Sequence, residues 1–285
     1  MKNIKKNISI EKLHAFENHP YKVQDNEEMT LLTESIQKSG ILTPLIVRPL
    51  ENTTDEYEII SGHRRAFAAR KAGIDMVPAL IFALDRDAAA VTLVDSNLHR
   101  EHILPSEKAF AYKMKMEAML RQGERTDLTS DQVGRKLETA ELIAEQADES
   151  KTQVRRYIRL THLIPPLLDM VDEGKIAFTP AVELSYLTEQ EQRNLLEEIH
   201  RNDCTPSLSQ ACRLKKLSQS EDVSSMTMAE IMREQKANQR EMFKMPMERI
   251  RKFASNTSEQ SLEDFILKAC EHYRRYLLRQ RERER

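Results

Sequence analysis

The chain has 285 residues with a formal net charge of −2 at pH 7, and 40% of its residues are hydrophobic while 32% are charged. No apolar run approaches the ~20 residues that a membrane-spanning helix needs, and the first residues lack the apolar core of a signal peptide, so we expect a cytoplasmic protein without a membrane partner. The three cysteines, Cys204, Cys212 and Cys270, have no CxxC spacing, which argues against a disulfide framework and a zinc site.

The first hundred residues alternate predicted strands and helices. Apolar residues at helical spacing predict a helix at 26–39, which Gly40 ends. Beyond residue 86 the strand patterns disappear and helices follow one another. The predicted strands lie within 8–16 and at 45–47, 57–60 and 77–82, and the next helices at 86–98 and 105–121.

A strand, a glycine and a basic helix start follow one another in residues 57–73, YEIISGHRRAFAARKAG. The first amides of a helix have no internal partner, and the helix dipole favours negative charge in front of them. Arg64 and Arg65 add planar donors that suit phosphate, and Gly62 would let a ligand approach the backbone. We interpret this segment as a phosphate or nucleotide cradle. The alternative is a turn whose arginines are simply solvated.

Residues 139–163 have the pattern of a helix-turn-helix. A short helix ends at Asp148, and Ser150 with Gln153 forms a capping box that starts a second helix. Because the whole chain is slightly acidic, a nucleic-acid partner must be held by local basic patches, and the second helix provides one. Its predicted DNA-contacting residues are Ser150, Thr152, Gln153, Arg155, Arg156 and Arg159. The alternative is a helical hairpin with a basic solvated face, since the usual turn glycine is absent.

The C-terminal part is predicted to be a separate helical unit. A polar segment at 123–130 predicts an exposed loop, and a serine-rich segment at 218–225 predicts a linker. Thr227 and Thr257 are each followed three residues later by Glu or Gln, which predicts two helix starts. The final helix carries an apolar stripe that favours self-association, formed by Leu262, Phe265, Ile266, Ala269, Tyr273, Tyr276 and Leu277.

These elements predict an α+β protein with three parts. A small mixed α/β domain occupies residues 1–103 and binds a nucleotide. An all-α helix-turn-helix domain follows at 104–218, and a helical unit for dimerisation follows at 219–285.

Four segments in chain order resemble the ParB-like partition proteins: ILTPLIVR at 41–48, EIISGHRR at 58–65, SNLHRE at 96–101 and GKIAFTPA at 174–181. The resemblance implies an N-terminal domain that binds CTP with Mg²⁺ and a helix-turn-helix that reads a palindromic centromere-like DNA site. It also implies a homodimer that CTP closes into a clamp on double-stranded DNA, a ParA-like ATPase partner, and a location on the nucleoid or a plasmid.

The resemblance also assigns residues to the nucleotide site. Gly62, His63, Arg64 and Arg65 match the family's phosphate-binding GERR turn. The residues that match the ENLQRE motif are Asn97, Arg100 and Glu101, and Asn97 is the expected magnesium ligand.

Two residues depart from these motifs. His63 replaces the glutamate of GERR, and Ser96 replaces the first glutamate of ENLQRE. The second change removes a carboxylate that relatives connect with magnesium and hydrolysis. Weak CTP hydrolysis is therefore one alternative for the output of the protein, and a transcription regulator with the same DNA-binding module and no nucleotide switch is another. A sulfiredoxin-like enzyme is excluded because Gly62 is followed directly by His63 and not by a reactive cysteine, and every cysteine lies beyond residue 200.

Overall fold

The computed structural model describes residues 4–51, 53–98, 100, 102–126, 132–220, 225–234, 253 and 259–283. The described residues belong to two compact units, Met1–Glu234 and Gln235–Arg285. The first unit combines one small sheet with many helices, so the predicted α+β class is confirmed.

The sheet lies in the first part of the chain. The elements there are β1 (Ile4–Ser9), a 3₁₀ turn (Ile10–Lys12), β2 (Leu13–His14), α1 (Glu27–Ser39), β3 (Leu45–Pro49), β4 (Tyr57–Ser61), α2 (His63–Lys71) and β5 (Met76–Ile81). The strands predicted at 45–47, 57–60 and 77–82 are confirmed with small shifts at their ends. The single strand predicted within 8–16 is instead two strands separated by the 3₁₀ turn.

The five strands have the spatial order β1-β5-β3-β4-β2. β1 pairs with β5 and β3 pairs with β4 in antiparallel fashion, whereas β3 with β5 and β2 with β4 are parallel. In chain order, β4 and α2 lie between the parallel strands β3 and β5. β4 is an inner strand, flanked by β3 and β2, and the residues directly after it lead into α2 at one end of the sheet.

Both faces of the sheet are covered by helices. Ile59 and Ile60 are adjacent on β4 and both are buried, but they belong to different apolar clusters because successive side chains on a strand point to opposite faces. Ile59 packs with residues of α1 and α2, whereas Ile60 packs with residues of the next two helices, α3 (Arg86–Asp95) and α4 (Pro105–Thr126). This continuous burial explains why β4 reads as an uninterrupted apolar run.

The rest of the first unit is helical. Its helices are α3 (Arg86–Asp95), α4 (Pro105–Thr126), α5 (Gln132–Ala147), α6 (Lys151–Leu160), α7 (Pro165–Asp172), α8 (Phe178–Leu184), α9 (Glu189–Asn202), α10 (Leu208–Gln219) and α11 (Ser225–Arg233). Two predictions are wrong here. Residues 123–126 continue α4 instead of forming a loop, and α11 begins at Ser225, so Thr227 lies inside the helix and does not cap it.

A buried lysine connects three of these helices. Lys115 of α4 is fully buried, and its ammonium donates to Asp95 at the end of α3 and to Gln146 near the end of α5. Burying an ammonium is costly unless it is paired and hydrogen-bonded. Lys115 therefore fixes α4 between the last turn of α3 and the last turn of α5.

The described residues of the second unit include one long helix, α12 (Glu259–Arg283). Phe265, Ile266, Tyr273, Tyr276 and Leu277 of the predicted stripe are exposed on it. The predicted cap Thr257 lies outside the described residues. In the described part of the chain, no helix is both long and apolar enough to cross a membrane.

Candidate nucleotide and nucleic-acid sites

The strand, glycine and helix predicted around Gly62 are confirmed. Gly62 has a φ of 103°, in the left-handed region, and its carbonyl accepts the first helical hydrogen bond of α2 from Ala66. A Cβ at this position would clash with Leu45 Cδ2 of β3. The glycine is therefore required by the turn and by the packing of β3, in addition to any ligand in front of it.

A cavity of about 430 Å³ opens in front of the α2 start. Small-molecule sites commonly measure ~300–1,000 Å³. Three separate segments of the chain line the cavity, and six of the seven predicted nucleotide-binding residues are among them: Gly62, His63, Arg64, Arg65, Asn97 and Arg100. The seventh, Glu101, lies outside the described residues. The cavity wall also includes His19, Tyr21, Lys22 and Glu28, which the sequence analysis did not assign to the site.

The two adjacent arginines have different surroundings. Arg65 is half-buried, and its guanidinium donates to the carbonyls of Thr43 and Pro44, the latter at 2.9 Å. Burial lowers the pKa of Arg65. Arg64 is exposed and forms an ion pair with Glu28 at 2.9 Å. Arg65 therefore holds the segment before β3 in place. Arg64 can bind an anion by giving up its ion pair with one exposed carboxylate, that of Glu28.

His63 packs against His19, with ring centroids 3.7 Å apart. The Phe16 amide donates to Nε2 of His63 at 3.3 Å, and Nδ1 of His19 contacts the Tyr21 carbonyl at 2.7 Å. Burial, His19 and Arg100 together lower the pKa of His63 from 6.5 to about 3. Burial also lowers the pKa of His19. The position that carries a glutamate in the GERR motif is thus an uncharged imidazole here, so the wall bears no negative charge at this point.

Tyr21 closes the cavity near Arg100, whose guanidinium lies 5.5 Å from the centre of the tyrosine ring. Its hydroxyl is buried and is the one such side-chain atom without a hydrogen-bond partner in the described part of the chain. Burial raises the pKa of Tyr21 above its ordinary value. An unpartnered buried hydroxyl is costly, and a polar ligand group in the cavity could supply the missing partner. The sequence analysis did not predict this role of Tyr21.

Asn97 follows α3 and is buried. Its side-chain amide nitrogen donates to the Leu93 carbonyl at 2.7 Å and to Ser96 Oγ at 3.2 Å. The amide oxygen is the atom that suits Mg²⁺, which prefers oxygen ligands and is often shared between few protein groups and a nucleotide. No cluster of three or more His, Cys, Asp or Glu side chains suited to a metal ion is found among the described residues.

The predicted helix-turn-helix is formed by α5, a tight turn and α6. Asp148 has a φ of 54° and adopts the left-handed conformation for which glycine is usual. Ser150 caps α6, since its hydroxyl accepts from the Gln153 amide at 3.1 Å. The first helix is longer than predicted because α5 begins at Gln132.

The predicted DNA-contacting residues of α6 differ in their surroundings. Thr152 and Arg155 are exposed, and no hydrogen bond or ion pair engages Arg155 within the described part of the chain. Arg156 is half-buried and donates to Thr179 Oγ1 at 2.9 Å. Arg159 donates to the Ser185 carbonyl at 2.8 Å and lies 4.0 Å from the centre of the Tyr186 ring. Of the three arginines, Arg155 is therefore the one whose side chain is exposed without a described partner, and the DNA contacts of all three stay a prediction.

Comparison with known proteins identifies two domains. The ParB N-terminal domain family matches residues 1–98, and the ParB HTH domain family matches residues 102–213. The chain is 33% identical over 175 residues to the probable chromosome 1-partitioning protein ParB of Deinococcus radiodurans, covering 61% of this chain and 53% of that protein. It is 34% identical over 181 residues to the chromosome-partitioning protein Spo0J of Thermus thermophilus, covering 63% and 59%.

Both relatives are longer than the part that the chain matches, which is a little over half of each. Among solved structures, the C-terminally truncated chromosome-partitioning protein ParB from Caulobacter crescentus, complexed with CTP-gamma-S, aligns at a TM-score of 0.32 and 27% identity, covering 69% of this chain and 98% of that one. With its ParB N-terminal domain followed by its ParB helix-turn-helix domain, the chain belongs to the ParB family.

Proposed function

We propose that the protein is a sequence-specific DNA-binding partition protein that acts as a CTP-gated dimeric clamp. The observation that carries this proposal is the convergence of six predicted nucleotide-binding residues, from two distant segments, on one cavity at the start of α2. In the proposal, residues 1–103 bind the nucleotide, residues 104–218 bind DNA and residues 219–285 dimerise.

The cavity suits a nucleoside triphosphate. The free amides at the start of α2 and the guanidiniums of Arg64 and Arg100 are donors for phosphate oxygens. Because Arg64 is exposed and its Glu28 partner is also exposed, exchanging that carboxylate for a phosphate leaves no buried charge unpaired. Mg²⁺ bound with CTP would reduce the negative charge of the phosphates, and Asn97 is the residue that would hold it.

CTP binding, and not turnover, is the proposed output of this cavity. Neither His63 nor Ser96 supplies a carboxylate where the family motifs have one. We therefore propose weak CTP hydrolysis at most. A transcription regulator without a nucleotide switch is the alternative, which the same two substitutions favour.

DNA binding is proposed for α6, which would enter the major groove of a palindromic centromere-like site. Ser150, Thr152 and Gln153 lie at its N-terminal end, where recognition helices contact base edges. Arg155 is an exposed cation on this helix whose side chain has no described partner, and it suits a phosphate. Arg156 and Arg159 hold α6 against α8 and the residues after it, and so set the angle at which the helix is presented.

The exposed apolar stripe of α12 supports a homodimer, because a contiguous apolar surface of this kind commonly marks an interface. A ParA-like ATPase partner and a location on the nucleoid or on a plasmid are proposed from membership of the family.

Titration with labelled CTP and Mg²⁺ tests the nucleotide site. We expect saturable binding by the wild-type chain and by the control Arg193→Ala, which removes an exposed arginine paired with Glu189 on α9, but strongly weakened binding by Arg64→Ala. Absence of binding by the wild-type chain would favour the regulator without a nucleotide switch.

A further inference from the structure

One wall of the nucleotide cavity is attached to the helical part of the first unit through Lys22. The backbone amide of Lys22 donates to Glu107 Oε1 of α4 at 2.8 Å. Its ammonium lies 3.3 Å from Asp169 Oδ1 and 3.4 Å from Asp172 Oδ2, both on α7. Lys22 also lines the cavity, so the same side chain borders the site and contacts α7.

The ammonium of Lys22 can leave α7 without exposing an unsatisfied group there. Asp172 is nearly buried, but it also accepts from the Ser106 amide at 2.9 Å and from the Ser106 hydroxyl, and so it keeps two partners. Asp169 has 61% of its side chain exposed and would be hydrated. The Lys22 side chain is itself about half exposed, at 49%, and has a flexible four-carbon stem.

Two other cations of the cavity have neighbours of their own within the first unit. Arg65 is bound to two backbone carbonyls, and Arg100 lies against the Tyr21 ring. Among the described cations of the cavity, Lys22 is the one that pairs with carboxylates of α7. A triphosphate carries more negative charge than the single aspartate pair that Lys22 now contacts, so it would compete for the ammonium.

Building on the proposed nucleotide-binding function, we propose that Lys22 is a further phosphate-binding residue that exchanges Asp169 and Asp172 for the nucleotide phosphates. This exchange breaks the ion pairs between the cavity wall and α7. Since α7 packs in the apolar cluster that also contains Leu160 of α6, nucleotide capture thereby loosens a restraint between the cavity and the helix-turn-helix region.

CTP titrations of full-length variants test this exchange. Lys22→Gln should weaken CTP binding about ten-fold, because a charge-assisted contact is lost. Asp169→Asn should tighten it about two- to five-fold, because an exposed competitor for the ammonium is removed. Tighter binding cannot result from partial unfolding, so the second variant separates the proposal from a merely structural role of Lys22.

Matched controls lie just beyond α7, where Glu173 and Lys175 form an exposed ion pair at 2.6 Å. Lys175→Gln and Glu173→Gln should leave CTP affinity unchanged.

The outcomes separate the two proposals. Normal CTP binding by the wild-type chain with no change in Asp169→Asn, or no loss in Lys22→Gln, would overturn the exchange and leave the proposed function standing. A wild-type chain that binds no CTP would overturn both.

Discussion

Neighbouring arginines on α6 are expected to contribute to different properties of the protein. Arg155 is exposed without a described partner, whereas Arg159 makes two hydrogen bonds to Ser185 and packs on the Tyr186 ring. An exposed cation can bind phosphate while contributing little to the free energy of unfolding. An arginine that is bonded to its own domain contributes to the packing of that domain.

Substitution separates these contributions. Arg155→Ala should weaken DNA binding and lower the slope of log K against log salt by about one unit, while changing the free energy of unfolding by less than about 0.5 kcal/mol. Arg159→Ala should lower the free energy of unfolding by about 1–3 kcal/mol, since it removes charged hydrogen bonds and a cation–π contact. Salt-dependent DNA titrations and urea unfolding measure both. An unchanged salt slope in Arg155→Ala would remove this residue from the DNA interface.

The buried imidazole of His63 makes stability depend on pH. Its pKa is about 3 in the folded chain, below the ordinary value of 6.5. Between these pH values the unfolded chain binds a proton that the folded chain does not, so the free energy of unfolding falls as pH falls. This contribution is absent above pH ~6.5 and grows as the pH drops toward ~3.

His63→Gln removes this titration. Between pH ~7 and ~5, the wild-type chain should lose about 1–2 kcal/mol more stability than His63→Gln does. Urea unfolding at the two pH values measures the difference, and His200→Gln, at an exposed position on α9, serves as the control. If His63→Gln and the wild-type chain lose stability equally, the imidazole is not held in its neutral form by the fold.

Sequence reasoning at the scale of single residues succeeded where the signal is local. The Ser150 cap and the glycine before α2 depend on neighbours a few positions away. It could not predict that Arg65 is bonded to the backbone of the segment before β3. The carbonyls of Thr43 and Pro44 are more than twenty positions away in the sequence and meet Arg65 only in the folded chain. The unpartnered hydroxyl of Tyr21 could not be predicted either, because it results from burial in the folded chain.

Helix α4 contacts elements of both predicted sites. Lys115 holds the end of α3, two residues before the predicted magnesium ligand Asn97, and also the end of α5, just before the turn into α6. A single buried ammonium thus contacts an element of each predicted site. Its hydrogen bonds therefore give a direct physical connection between elements of the two sites.

Removing this ammonium should therefore destabilise the first unit. Lys115→Ala is expected to lower the free energy of unfolding by about 2–4 kcal/mol, because it leaves a cavity and two polar groups without their partner. Lys113→Ala, on the same helix at a half-buried position, should cost less than about 1 kcal/mol. Equal losses in the two variants would show that the bonds of Lys115 contribute nothing specific.

At the scale of elements, strands with long apolar runs were predicted well and some helix ends were not. The polar residues after Gln122 predicted a loop, yet α4 continues to Thr126. A polar sequence does not end a helix, and one glycine inside it costs only about 1 kcal/mol relative to alanine. The start of α11 was misplaced for a similar reason, since a Thr-x-x-Glu pattern also occurs inside helices.

The first compact unit contains both the α2 cavity and the helix-turn-helix with its exposed Arg155, and the second contains α12 with its exposed apolar stripe. Each of the four motifs alone has low specificity, but their order along the chain was enough to predict the family before any geometry was available. The sequence could not predict how α7 contacts the cavity wall, since Lys22 and Asp169 are far apart in the chain.

The central claim is that nucleotide in the α2 cavity controls how the helix-turn-helix holds DNA. A DNA site is first selected from a random pool and placed on a closed circular plasmid. Retention of the protein is then measured after a high-salt wash, with and without CTP and Mg²⁺. The account predicts retention by the wild-type chain only with CTP, release when the plasmid is linearised, and no retention of Arg64→Ala. Retention that is the same with and without CTP would contradict it.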